Sequence, residues 1–291
     1  MIARSLLVCF AVWLASGCST VSVLDPAGPV AHGNRASLMS ALVIMLAIVV
    51  PTMIAIVAFA WWFRAGNARA TYRPEFVFSG RIELVVWSIP LLVILFLAGV
   101  IWIGSHRLDP AAPLAPQAET VEVQVVALDW KWLFIYPDQG IATVNHVVIP
   151  AGRAVRFRLT SASVMNAFFV PRLGSMIYAM NGMETDLHLR ADRAGRYYGQ
   201  SSHYSGDGFA DMHFTVDAVP PVAFASWAAQ ARGTGGRLDA ATYRDLARQG
   251  TAPQVLAFGS VAPGLFADIV TQRIPPADGP RQAEGGRQVP G

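Results

Sequence analysis

Two cysteines, six histidines and nine methionines are the side chains of this 291-residue sequence that could hold a transition metal. Both cysteines, Cys9 and Cys18, lie within the first 18 residues, so the rest of the chain can form neither a disulfide framework nor a thiolate metal site. Met176, Met180 and Met183 form a run whose soft thioethers could bind Cu(I). Methionines more often fill apolar gaps in loops, and we favour that interpretation.

Three histidines test the metal hypothesis further. His188 lies between Leu187 and Leu189 in a stretch of alternating polarity, and His213 likewise lies between two apolar residues. If the leucines face a core, strand geometry predicts that both histidines face solvent or a partner. His203 lies in a loop, and the three histidines do not follow a metal-ligand spacing. We therefore expect no physiological metal site in this chain.

One carboxylate, Glu83, stands at the start of the second long apolar segment. The helix dipole stabilises a carboxylate in the first turn of a helix, whereas an ionisable group at the membrane edge can also handle protons. Both interpretations stay open on the residues alone. The sequence contains no nucleophile elbow, phosphate-binding loop or Rossmann glycine pattern. Its net charge of +3, without a run of lysine or arginine, gives no reason to expect a nucleic acid partner.

The composition, 54% hydrophobic and 14% charged, favours a membrane protein. Residues 38–63 and 84–103 contain no charged side chain, and about 20 apolar residues span a bilayer core, so both segments predict transmembrane helices. The loop between them, residues 64–83, carries four arginines, whereas residues 18–37 carry one. The positive-inside rule then predicts a cytoplasmic loop, with the N-terminus and the C-terminal domain in the periplasm of a bacterial inner membrane.

The N-terminus carries a processing signal. Residues 1–17 contain Arg4, then an apolar run and then small residues, which is typical of a secretory signal peptide. The sequence Ala15-Ser16-Gly17-Cys18 resembles a lipobox, which predicts a lipidated Cys18 at the start of a periplasmic segment, residues 18–37. The alternative is an ordinary cleavage site followed by a chance cysteine.

A β-domain follows the membrane segments. Residues 104–118 are rich in proline and alanine and predict a linker. Beyond them, apolar and polar residues alternate in residues 121–125, 155–159 and 212–216. Short alternating stretches separated by turn residues predict an antiparallel all-β sandwich over residues 119–220.

The C-terminal part changes character again. Residues 221–270 have an apolar spacing that favours short helices, with candidates at Phe224–Arg232 and Ala240–Arg248. Residues 271–291 are rich in proline, glycine, glutamine and arginine. Such a composition cannot bury enough apolar surface to offset the loss of chain entropy, and it therefore predicts disorder.

Several motifs in these segments match one family. They are Asp129-Trp-Lys-Trp132, Val164-Met-Asn-Ala-Phe-Phe-Val-Pro-Arg-Leu-Gly174, Ile177-Tyr-Ala-Met-Asn-Gly-Met183 and Tyr204-Ser-Gly-Asp-Gly-Phe209. On these motifs, and over roughly residues 15–270, the chain resembles subunit II of the bo-type ubiquinol oxidases, the copper-free branch of the haem-copper oxidase superfamily. The resemblance implies a transmembrane hairpin followed by a cupredoxin-like Greek-key sandwich and a short helical extension.

The resemblance also locates the positions at which the copper-bearing cytochrome c oxidase branch has its metal ligands. Those positions hold Asn166, Ser201, His203, Ser205, Phe209 and Met212 here, and only the methionine is kept. A hydroxyl cannot replace a bridging thiolate, and a phenyl ring cannot coordinate a metal. The resemblance therefore implies no metal and no cofactor in this subunit, with the haems, copper and ubiquinol in subunit I.

Two further residues match family positions. Glu83 matches the glutamate at the entrance of the family's K proton pathway. Trp130 matches the family's electron-entry tryptophan. Because the copper ligands are missing, we interpret Trp130 as a packing residue. The resemblance implies a non-redox structural subunit of a proton-pumping ubiquinol oxidase, with subunits I, III and IV and the lipid bilayer as partners. The alternatives are a copper-bearing cytochrome c oxidase subunit II, whose ligands are missing, and a free-standing copper-binding or assembly lipoprotein.

Overall fold

The computed structural model describes residues 23–71, 73–251 and 256–280. The described residues form two compact units, one of residues 33–109 and the other of residues 23–32 together with 110–280. The predicted signal peptide, the predicted lipidation site Cys18 and residues 281–291 lie outside the described residues.

Two long helices, α1 (Pro29–Trp62) and α2 (Gly80–Arg107), confirm the two predicted apolar helices. Both are long and apolar enough to cross a bilayer, and a helix satisfies its backbone hydrogen bonds internally, as a lipid environment requires. Both helices are longer than the predicted membrane spans, because α1 begins well before residue 38 and α2 continues past residue 103. Only the hydrocarbon core of a bilayer demands an uncharged stretch, so a helix can extend beyond that stretch.

The second unit contains a sandwich of two β-sheets. The strands in the described residues are β1 (Val121–Leu128), β2 (Lys131–Tyr136), β3 (Ile141–Val144), β4 (His146–Pro150), β5 (Ala154–Ser161), β6 (Asn166–Phe169), β7 (Ile177–Ala179), β8 (Thr185–Arg190), β9 (Gly195–Ser201), β10 (His213–Val219), β11 (Gly236–Leu238) and β12 (Leu256–Val261). The larger sheet has the strand order β11-β12-β3-β2-β1-β5-β8, and the smaller sheet has the order β4-β10-β9-β6-β7. The all-β sandwich is therefore confirmed.

Sequence alternation identifies the buried face of the main strands. In β1, for example, Val121, Val123 and Val125 are buried, whereas Glu122 and Gln124 are only half-buried. The expectation of a purely antiparallel sandwich was wrong, because β1 pairs in parallel with β5, and β4 with β10. The chain leaves the larger sheet for β4 and returns as β5, and a crossover of this kind places two strands side by side in the same direction.

An aromatic cluster fills the space between the two sheets. The rings of Phe168 and Phe214, both from the smaller sheet, stack with centroids 4.8 Å apart. From the larger sheet, Trp132 meets Phe168 edge-on at 5.3 Å, and Phe134 lies 5.3 Å from Phe214. All four side chains are almost completely buried. Contacts of this geometry stabilise a core beyond the effect of the area that they remove from water.

The C-terminal region adds three short helices: α3 (Pro221–Arg232), α4 (Ala240–Ala247) and α5 (Leu265–Val270). The first two confirm the predicted helices, whereas α5, β11 and β12 were not predicted. Side chains of α4 and α5 join residues of the larger sheet, such as Val126 and Leu133, in a second apolar core. This core covers the face of the sheet that points away from the sandwich interior.

Disorder from residue 271 onwards was a wrong prediction for residues 271–280. Ile274 is buried, and the amide of Ala277 donates a hydrogen bond to the carbonyl of Ala162 at 2.9 Å. A polar, proline-rich composition describes the segment as a whole, but an apolar anchor together with backbone and side-chain hydrogen bonds, such as that from Gln272 to Asn181, holds residues 271–280 against the rest of the domain.

The structure also contradicts the predicted exposure of His188, which is buried although its neighbours Leu187 and Leu189 are buried as well. The linker explains the difference, because β8 is an edge strand and its His188 amide donates to the carbonyl of Pro110 at 2.9 Å. Burial lowers the pKa of His188, and its Nδ1 atom has no hydrogen-bond partner among the described residues. His213, by contrast, is exposed as predicted.

Candidate functional site

The positions that the family resemblance assigned to the copper ligands of the related branch lie towards one end of the sandwich. Asn166 begins β6 and Ser201 ends β9, and the antiparallel pairing of these two strands brings both residues together. Ser205 lies in the loop after β9, and Met212 lies directly before β10. All four side chains are buried, with exposed fractions between 1% and 7%.

These four side chains contact one another in pairs. The Ser201 hydroxyl lies 3.3 Å from the Asn166 Oδ1 atom and donates a hydrogen bond to it, while the Asn166 amide group donates to the carbonyl of Val164 at 3.1 Å. The Ser205 hydroxyl lies 3.9 Å from the Met212 sulfur atom. Because a buried polar group without a partner is costly, these contacts allow the cluster to be buried without a metal ion.

Two of the six positions lie outside this cluster. His203 is partly exposed, and its ring meets the ring of Tyr178 edge-on at 6.0 Å. Phe209 packs against Tyr204, with ring centroids 5.7 Å apart. The structure thus brings Asn166, Ser201, Ser205 and Met212 together and leaves the other two at the periphery.

Trp130 holds the loop that contains Ser205. Its indole Nε1 donates a hydrogen bond to the Ser205 carbonyl at 3.0 Å, and its own backbone has a φ of +67°, which is uncommon for a bulky residue. The ring lies so close to Gly208 that a Cβ atom at that glycine would come within 2.2 Å of it. Trp130 thus packs against this loop, and only 9% of its surface is exposed.

Two charged neighbours of Trp130 are buried, which sequence analysis did not foresee. Asp129 accepts a hydrogen bond from the Ser163 hydroxyl, and the Lys131 ammonium group donates to the carbonyl of Arg248 at 2.8 Å. Burial raises the pKa of Asp129 and lowers the pKa of Lys131. The alternating charges and tryptophans of this motif do not indicate that Asp129 and Lys131 are buried, because the hydrogen-bond partners of these two residues lie far away in the sequence.

The donor set at this end of the sandwich does not fit a binuclear copper centre. Such a centre needs soft thiolate and imidazole ligands, and the four buried side chains supply one amide, two hydroxyls and one thioether. Among the residues that the structure describes, no three histidine, cysteine, aspartate or glutamate side chains come together as a metal-binding group.

Glu83 occupies the first turn of α2. Its amide donates to the carbonyl of Ser79 at 3.0 Å, and its carboxylate accepts a hydrogen bond from the Trp87 indole at 3.0 Å. The side chain is exposed in the isolated chain. A fixed but accessible carboxylate at the end of an apolar helix can serve as a helix-terminal charge or as a proton-accepting group.

Two long apolar helices followed by a sandwich of this kind define a class, the subunit II proteins of respiratory oxidases. The family described as "Cytochrome C oxidase subunit II, periplasmic domain" matches residues 138–219, and the family described as "COX Aromatic Rich Motif" matches residues 232–276. A solved structure of the periplasmic domain of cytochrome oxidase subunit II from Bradyrhizobium japonicum is also similar. It shares 27% identity at a TM-score of 0.38 and covers 39% of this chain and 94% of its own.

Individual relatives show which branch of this class the chain resembles. "Ubiquinol oxidase subunit 2" of Acetobacter aceti is 48% identical over 89% of this chain and 84% of its own length. "Cytochrome bo(3) ubiquinol oxidase subunit 2" of Pseudomonas aeruginosa is 42% identical over 89% of this chain and 78% of its own length. The chain belongs to the ubiquinol oxidase subunit 2 family. It is therefore a membrane protein with a periplasmic domain and a subunit of an oxidoreductase complex.

The contact between Trp130 and Gly208 gives a prediction about the loop. Gly208→Ala places a methyl group against a buried indole ring, and we expect the free energy of unfolding to fall by about 1–3 kcal/mol. Thermal unfolding of the detergent-solubilised chain, followed by tryptophan fluorescence, measures the loss. Gly236→Ala is the matched control, because nothing lies within 4 Å of its Cβ position.

A double-mutant cycle with Trp130→Ala separates this contact from a general effect of the substitution. In the Trp130→Ala background, Gly208→Ala should leave the free energy of unfolding almost unchanged, because the indole ring that would clash with the added methyl group is absent. An equal loss in both backgrounds would contradict the assigned packing role of Trp130.

Proposed function

We propose that this chain is the non-redox subunit of its ubiquinol oxidase, and that electrons pass from ubiquinol to oxygen without entering the periplasmic domain. The observation that carries the proposal is the buried cluster of Asn166, Ser201, Ser205 and Met212, whose polar side-chain atoms find their partners within the protein. The whole complex then catalyses quinol oxidation and oxygen reduction to water, and the haems, copper and ubiquinol belong to subunit I.

An exposed apolar surface at the same end of the sandwich supports a structural role. Met176, Tyr178 and Tyr204 are 40%, 42% and 65% exposed. Their segments are adjacent, since the Ser202 hydroxyl contacts the Met176 sulfur and the Tyr178 ring contacts His203. Exposed apolar groups gathered in one place mark an interaction surface. We assign this surface to contact with subunit I, while subunits III and IV complete the assembly.

The proposed topology has the N-terminus and the β-domain in the periplasm and the loop between the helices in the cytoplasm. Three arginines of the described loop, Arg64, Arg69 and Arg73, support a cytoplasmic location. Residues 23–28 pack against the β-domain, where the Ala27 amide donates to the Arg172 carbonyl at 2.7 Å, which supports a common side for both. Lipidation of Cys18 would anchor the same N-terminus to the inner membrane.

Glu83 is the residue that we assign to the entrance of the proton-uptake pathway. In the proposed topology it stands at the cytoplasmic end of α2, where a carboxylate can exchange protons with bulk water. The hydrogen bond from the Trp87 indole holds the carboxylate in place without neutralising its charge. A negative group fixed at this interface would attract protons and pass them towards subunit I.

The non-redox assignment predicts the choice of electron donor. The purified complex should consume oxygen with ubiquinol and should not do so with reduced cytochrome c, because the domain offers no metal to accept an electron from that protein. An oxygen electrode measures both rates on one preparation. Cytochrome c oxidation at a rate comparable with that of ubiquinol would contradict the assignment.

The proton assignment predicts the effect of removing the charge of Glu83. Glu83→Gln keeps an oxygen that can accept the Trp87 hydrogen bond, yet it should slow ubiquinol oxidation by about tenfold. This is less than the ~10²–10⁴ of a general acid–base residue, because water can still reach the pathway. Glu83→Asp should recover most of the rate, and Glu75→Gln, in the adjoining loop, is the matched control. An unchanged rate in Glu83→Gln, with normal haem content, would reduce Glu83 to a helix-terminal charge.

A further inference from the structure

The connector between the two long helices contains a cavity that the oxidase activity does not explain. It has a volume of about 730 Å³ and lies in the segment that directly follows α1. Three arginines and three aromatic residues contribute to its lining: Arg64, Arg69, Arg73, Trp62, Phe63 and Phe76. Guanidinium groups and aromatic rings therefore share one concave surface at the end of an apolar helix.

Local hydrogen bonds shape this connector. The Asn67 side-chain amide donates to the Trp62 carbonyl at 2.5 Å, and the Asn67 backbone amide donates to the Arg64 carbonyl at 3.0 Å. The Ala70 amide in turn donates to the Asn67 carbonyl at 3.2 Å. Consecutive turns centred on Asn67 thus fold the chain back and bring its arginines to one cavity.

No carboxylate in the described part of the chain neutralises the positive charge of the cavity. Residues 62–76 hold three arginines and a single acid, Glu75. Among the described residues, no carboxylate forms an ion pair with any of these arginines. Arg64 is held by its own helix end, because it donates to the Trp61 carbonyl at 2.8 Å and lies over the Trp61 ring at 4.9 Å. Arg69 and Arg73 are exposed.

The aromatic residues indicate what kind of anion fits. Trp62, Phe63 and Phe76 are 46%, 58% and 59% exposed, which is unfavourable in water but suits the boundary between headgroups and acyl chains. A free phosphate ion would use the guanidinium groups and leave these rings uncovered. A phospholipid with a negatively charged headgroup would use both, since its phosphate meets the arginines and its acyl chains meet the rings.

We propose that this cavity binds the phosphate of an anionic phospholipid headgroup and so attaches the connector to one leaflet of the membrane. The inference rests on the chain being a membrane protein and does not depend on the proton role of Glu83. A binding measurement tests it without reference to turnover, so its failure and the failure of the proposed function are distinguishable.

The test is native mass spectrometry of the purified complex in detergent, incubated with phosphatidylglycerol, with phosphatidylcholine, or with inorganic phosphate. The wild-type complex should bind phosphatidylglycerol more tightly than phosphatidylcholine. The double variant Arg69→Gln/Arg73→Gln should weaken that binding by about thirtyfold, since each arginine near an anionic surface contributes about fivefold. The single variants should each weaken it by about fivefold and provide the test if the double variant does not assemble.

Two controls complete the design. Arg107→Gln removes a cation from the last turn of α2, away from the cavity, and should leave the binding of phosphatidylglycerol unchanged. Arg69→Lys/Arg73→Lys keeps the charge and should retain most of the affinity. Equal binding of both lipids, an equal loss in Arg107→Gln, or displacement of phosphatidylglycerol by millimolar inorganic phosphate would overturn the proposal.

Discussion

The aromatic cluster between the two sheets determines the geometry of the sandwich end that holds Asn166, Ser201, Ser205 and Met212. Phe168 stacks on Phe214, and Trp132 meets Phe168 edge-on. Each of these rings lies two residues along the chain from a residue at the sandwich end: Asn166, Met212 and Trp130, respectively. Trp132 and Phe214 are the second residues of β2 and β10, and Phe168 is the third residue of β6, so packing of the three rings fixes where these strands begin. The loops that surround Ser201 and Ser205 therefore have a rigid base.

The buried polar groups at this end of the sandwich also need hydrogen-bond partners if the fold is to be stable. In the copper-bearing branch the ligand positions would be held by the metal, whereas in this chain a hydrogen bond joins Ser201 to Asn166. The Ser205 hydroxyl contacts the Met212 sulfur, and the Trp130 indole ties down the Ser205 carbonyl. Contacts within the domain thus position these side chains without a metal ion. This end of the domain therefore keeps its shape without a metal ion, as the proposed non-redox role requires.

Several parts of this arrangement could be predicted from the sequence, and the failures have identifiable causes. Alternation gave the buried face of the strands, because one face of each main strand meets a continuous core. Alternation gave the wrong exposure for His188, because the exposure of a residue in an edge strand depends on which segment covers that strand. Here the linker at Pro110 covers it. Likewise, the composition of residues 271–280 concealed the anchoring of Ile274 in the second core. Family motifs singled out six positions, but their division into a buried cluster of four and two peripheral residues became visible only in the fold.

The central claim is that this subunit carries no copper, and metal analysis of the full-length chain tests it most directly. The purified chain, separated from the complex, would be incubated with Cu(I) or Cu(II), desalted, and examined by elemental analysis and visible spectroscopy. The account predicts a colourless protein with far less than one copper ion per chain, because the buried cluster offers a single soft ligand, Met212. Two copper ions per chain with a visible absorption band, lost on Met212→Ala, would contradict it.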